Sequence, residues 1–96
     1  MNADFASVHN HNELAVFEAV SRHAERHPGL TDGPDLLADV ACVALNRLAP
    51  RYIRHAVDYV FYLTESERGE SERDLQSAVE YAFNFVKART AMRARA

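Results

Sequence analysis

Glycine and proline are scarce in this 96-residue chain, three of each, and cysteine occurs once. So few backbone breakers argue against a loop-rich fold and for long regular elements. The single thiol, Cys42, excludes an internal disulfide and fits a reducing compartment. Set among apolar neighbours, it reads as a buried, inert side chain. No stretch approaches the roughly 20 apolar residues of a membrane span. Met-Asn-Ala-Asp-Phe at the start lacks the basic opening and apolar core of a secretory signal. A cytoplasmic protein with no membrane-embedded part is expected. A formal charge of −3 argues against a general nucleic-acid coat, which carries a basic excess. There is no Gly-rich phosphate loop, no His-Glu-x-x-His and no Gly-x-Ser-x-Gly, so no enzymatic activity is expected.

What is present is enough apolar material for one core. Residues 1–96 read as a single domain, with 1–7 and 92–96 expected to fray. Asn10 can cap a first helix running to about His27, and Glu13 can complete a capping box. Leu14, Phe17, Val20 and Ala24 form its apolar stripe. Pro28 and Gly29 end it, and Pro34 suits the first turn of a second helix over roughly Asp35–Leu48. That helix is apolar around most of its circumference, which predicts a central position. Its two polar interruptions, Asp39 and Asn46, must face solvent or find partners; Asn46 can serve the carbonyls of the helix end.

After Pro50 the pattern changes. The run Val57–Leu63 is rich in β-branched and aromatic residues and reads as a strand, with Val57, Tyr59, Phe61 and Leu63 on one face. A helix is the competing reading, because seven residues do not fix the period. With no second convincing strand in the chain, its copy in another subunit is the simplest partner. Thr64 and Glu67 then form a capping box for a last helix to about Ala91, acidic early and basic late, with Gly69 as a point of weakness. Leu75, Val79, Ala82, Phe83 and Val86 make its buried stripe. A second stripe, Ala78, Tyr81 and Phe85, exceeds what a three-helix monomer buries and supports a dimer. The sum is a mainly α, compact domain of three to four helices with a short extended segment after Pro50, homodimeric.

The most informative stretch is the exit of the second helix. Between Asp39 and Asp58 there is no acidic residue, while Arg47, Arg51 and Arg54 fall close together around Tyr52. Fixed positive charge beside an aromatic ring can hold a phosphate and stack a base. The bland alternative is a solvated basic turn that neutralises the acidic start of the last helix. On an extended segment Arg51 and Tyr52 point apart, so convergence within one subunit needs a turn, and a two-fold dimer removes the difficulty. Elsewhere His23 and His27 have a spacing that metals use, with His9 and His11 as further donors. No closed ligand shell is legible, and no metal site is expected.

Asp39-Val-x-x-x-Ala-Leu-Asn-Arg-Leu-x-Pro-Arg-Tyr52, preceded by Val8-His-Asn-x-x-Glu13, resembles the ComFB-like late-competence family over about Val8–Lys87. The resemblance implies a small helical homodimer of the bacterial cytoplasm. It also implies a receptor for a cyclic dinucleotide, notably cyclic di-GMP, linked to competence, motility or cell size. Cyclic di-AMP is not distinguished from it by sequence. Some relatives carry a cysteine cluster between the first two helices that points to zinc. Here the loop Gly29–Pro34 has no cysteine, and that site is not carried over. For such a ligand Arg51 and Arg54 are the candidates for phosphate or guanine contacts, Tyr52 a stacking surface and Arg47 a support. Asp58 can accept from guanine N1 and N2. An unidentified downstream protein would receive the signal. The rivals are a ligand-free dimeric protein-interaction module of the competence or motility system, and a DNA-associated factor using the basic tail Lys87–Arg95.

Overall fold

Small side chains at Ala41 and Ala44 in one helix, and at Ala78 and Ala82 in another, are buried where two helices pack side by side. This is the most extensive contact between elements, and the fold is organised about it. The computed structural model describes residues 2–31 and 33–95. The expectations about Met1, Ala96 and the Asp32 loop position lie outside the described residues. In chain order, a 3-10 turn Phe5–Ser7 precedes β1 (His9–Asn10) and α1 (His11–His23). Then come 3-10 turns Ala24–Arg26 and Pro28–Leu30, α2 (Pro34–Asn46), β2 (Tyr52–Ile53), α3 (Asp58–Tyr62) and α4 (Glu65–Arg95).

α2 opens with Pro34 at its first helical position, where a missing N–H costs nothing. α4 opens on the expected capping box. Thr64 N–H donates to Glu67 Oε1 at 3.3 Å and Glu67 N–H to Thr64 Oγ at 3.1 Å. At 1.5 Å per residue α4 is about 46 Å long, against a longest molecular extent of 53 Å. It runs unbroken through Gly69. Its buried residues, Ala78, Val79, Ala82, Phe83 and Val86, meet Val16, Ala19 and Val20 of α1 and Val40, Ala41 and Ala44 of α2. Leu30 closes the core from the turn between them. Fully burying a Val or Phe side chain stabilises by about 1.5–3 kcal/mol, so Val16, Val40, Val79, Phe83 and Val86 carry the fold. Two-residue strands cannot stand alone and depend on that frame.

Four expectations are corrected. α1 meets its neighbours through Val16, Ala19 and Val20, smaller side chains that permit a close crossing. Leu14 and Phe17 therefore turn outward, 65% and 48% exposed. Cys42 is exposed, because the apolar face of α2 is wider than its two neighbours cover. Residues 58–62 are helical. The Asp58 carboxylate accepts from His55 N–H at 3.2 Å, and Arg68 donates to the carbonyls of Val60 and Leu63 at 3.0 and 2.8 Å. Those side-chain bonds at both ends outweigh the β-propensity of the run. Lastly, the extended segment expected after Pro50 is present as β2, and the chain does hold a second strand for it: β1, antiparallel, with His9 opposite Ile53 and Asn10 opposite Tyr52.

A methyl group added at Gly69 would meet only Arg73 Nη1, at 3.5 Å, an ordinary contact with a mobile side chain. Gly69→Ala is therefore expected to raise stability by about 0.5–1 kcal/mol in urea denaturation. A loss would show that α4 needs a weak point there.

Candidate functional site

The basic segment is held in place by the start of the chain. Oδ1 of Asn10 accepts from Asn12 N–H at 3.1 Å, capping α1, and also from Arg51 N–H at 2.9 Å. Glu13 does not complete the expected box; the second bond goes across the chain instead. His11 N–H donates to the Arg51 carbonyl at 2.6 Å. Asn12 Nδ2 donates to the Ala49 carbonyl at 2.8 Å. Both backbone polar groups of Arg51 are thereby tied to the first turn of α1.

The five candidate residues separate. Arg51 and Tyr52 line one cleft with Pro50, Ile53, Tyr59, Tyr62 and Leu63, a cavity of about 220 Å³. Arg54 leaves it: Nε donates to Ser7 Oγ at 2.8 Å, and the guanidinium lies 3.7 Å from Asp4. At this exposure the ion pair contributes little. Arg47 lies over the Tyr81 ring, 3.8 Å from its centroid, and lines a shallow pocket with Asp74 and Ser77. Asp58 is committed to the turn before α3. Within the chain, then, Arg51 and Tyr52 come together, while Arg47 and Arg54 face other surfaces.

Tyr59 and Tyr62 are the residues sequence reasoning missed. Read as a strand, 57–63 puts them on opposite faces; read as a helix, their three-residue spacing puts both on one face. The ring of His11 stacks on Tyr59, 4.0 Å between centroids and 15° from parallel. Burial, then the neighbouring His9, holds its pKa below the ordinary 6.5. The cleft thus brings Arg51 together with three tyrosines, one of them, Tyr59, already stacked on His11; such residue types can stack planar rings and bind an oxyanion or a purine edge.

Other singled-out residues have structural partners. Asp39 accepts from Arg89 at 3.1 Å, and Asn46 Nδ2 donates back to the Cys42 carbonyl at 3.0 Å. Tyr81 and Phe85 stack 6.0 Å apart, and Arg89 lies 5.7 Å from the Phe85 centroid. The second stripe of α4 is therefore partly covered by the protein's own guanidinium groups. Among the described residues, no group of three His, Cys, Asp or Glu could hold a metal ion, and no helix is long and apolar enough to cross a membrane.

The family model described as Late competence development protein ComFB matches residues 9–90. No curated protein and no solved structure matches the chain.

Asn10→Ala removes an acceptor shared by two backbone donors. It is expected to cost about 1–2 kcal/mol in urea denaturation, with Asn10→Asp largely retaining stability. An unmoved midpoint would mean the clamp is unimportant. The pH dependence has a definite sign. His11 and His27 both bind a proton less readily folded than unfolded. Their contribution is present above their ordinary value of 6.5 and is lost as pH falls below it. The urea midpoint should drop between about pH 7.5 and pH 5.5, and His11→Phe, which keeps a stacking ring, should reduce the drop. An equal drop in that variant would remove His11 from the explanation.

Proposed function

Because the chain belongs to the late competence development protein ComFB family, we propose that it is a non-enzymatic cytoplasmic receptor. It binds cyclic di-GMP at the exit of α2 and passes the signal to a protein partner. The observation that supports this reading is the meeting of Arg51 and Tyr52 with Tyr59 and Tyr62 in one cleft. A guanine base stacks against the phenol faces, and the Arg51 guanidinium engages a phosphate or the O6/N7 edge. Drug-sized ligands occupy about 300–1,000 Å³, so a cavity of about 220 Å³ takes one base and not the whole ligand. The remainder, carrying the second base, lies across a second copy of the chain, as suits a ligand with two-fold symmetry. Phe61, 77% exposed on the same helix as the two tyrosines, with Val60 beside it, offers apolar surface for that association. Arg54 joins the ligand by releasing Ser7 and Asp4, an exchange made cheap by exposure.

One observation favours a second reading, an interaction module without a small ligand. An open apolar groove between α1 and α2 is lined by Phe17, Leu37, Ala41, Cys42 and Leu45, and grooves of this kind take amphipathic helices.

Calorimetric titration with cyclic di-GMP, cyclic di-AMP and GTP separates the two. With protein at about 100 µM, binding worth roughly 5 kcal/mol or more gives heat. Cyclic di-GMP is expected to bind, Arg51→Ala and Tyr52→Ala to weaken it by about tenfold or more, and Arg93→Ala to leave it unchanged. Silence with all three nucleotides would overturn the receptor reading in favour of the module.

A further inference from the structure

A second cavity, of about 270 Å³, opens at the opposite end of α1 from the Arg51 cleft. Along the helix, His11 and His23 are separated by about 18 Å. One wall is His23, Arg26 and His27; the other is Gln76, Glu80, Phe83 and Asn84 of α4. Residues 76, 80 and 84 recur every four positions and so share one helix face, presenting two carboxamides. The His27 ring is stacked on Phe83, 4.3 Å between centroids and 12° from parallel. Its Nδ1 is buried and, among the described residues, has no hydrogen-bond partner. A buried polar atom left unpaired calls for an explanation. Arg26 spends one contact of 3.4 Å on His23 Nδ1 and carries five donors in all. Among the lining residues the charges of Arg26 and Glu80 balance, and Lys87, outside the lining, adds a positive charge near His27.

We infer that this cavity is a second binding site, for a small phosphate group, held by Arg26, His23 and His27 with the carboxamides of Gln76 and Asn84. The cavity does not hold a whole dinucleotide, and its aromatic lining residue, Phe83, is already covered by His27, so no base stacks on it. Donors from two elements around one space match an oxyanion with several acceptor oxygens. The site is coupled to pH. Burial, then Lys87, His23 and Arg26, depresses the pKa of His27 while the site is empty. The charged groups that act on its ring are Lys87 on α4 and His23 and Arg26 on its own side, and Glu80 lines the same cavity. An entering anion offsets the cations among them and draws a proton onto His27. Affinity therefore rises as pH falls.

The test is histidine-ring NMR on the full chain at constant ionic strength, titrated with inorganic phosphate and with glycerol phosphate to about 20 mM. Saturable movement of the His23 and His27 signals is expected. Tighter binding of glycerol phosphate would assign the site to a monoester, and equal binding to the free ion. Sulfate, whose charge is constant between about pH 6 and pH 8, reads the proton coupling. It should bind at least about fivefold more tightly at the lower pH, and His27→Phe, which keeps a ring on Phe83, should abolish that difference. Arg26→Gln, a change at an exposed position, should weaken phosphate about tenfold, while Arg51→Ala should leave it unchanged. Unmoved histidine signals, or equal movement in Arg26→Gln, would overturn the inference.

Discussion

A single carboxamide oxygen, Oδ1 of Asn10, holds two parts of the chain together that are 41 positions apart. Both of its lone pairs are used: one receives the N–H of Asn12 and starts α1, the other receives the N–H of Arg51. Around it, the β1–β2 pairing and the bonds from His11 and Asn12 fasten the chain that leaves α2. Strands two residues long contribute too little to do this alone. The clamp rests on the helical core, which holds α1 and α2 against α4. The start of the chain packs over the exit of α2.

This constraint decides what each arginine is free to do. Arg47, one residue beyond the end of α2, lies against α4 and covers Tyr81. Arg54, just past β2, turns towards the amino-terminal 3-10 turn and meets Ser7 and Asp4. Among these three, Arg51 alone has its backbone fastened on both sides and lines the cleft that three tyrosines share. A fixed backbone lowers the ordering cost of recruiting that side chain to a ligand. The residues that do most for the site, Asn10 and His11, belong to its support and not to its surface.

Much of the fold was legible because it follows from local chemistry. Pro34 and the Thr64/Glu67 pair mark the starts of α2 and α4 in the sequence, and the stripe from Val79 to Val86 is the buried one. Asn10 was recognisable as a cap, but its second bond, to Arg51, depends on a tertiary approach that no spacing encodes. Leu14 and Phe17 were misplaced because hydrophobicity ranks them above Ala19, whereas the helix crossing selects for small size. The run from Val57 to Leu63 misled for a related reason: its composition favours a strand, while Asp58 and Arg68 bond it into a helix from outside the pattern. That error also hid Tyr59 and Tyr62, and with them the wall of the cleft.

The central proposal is that the amino-terminal clamp positions Arg51 for the proposed cyclic dinucleotide. A double-mutant cycle on cyclic di-GMP affinity, combining Asn10→Ala with Arg51→Ala, tests it most directly. Each single change should weaken binding, and the pair should weaken it by much less than the sum. Asn10→Ala protein that is folded and binds as tightly as the unaltered chain would contradict the claim.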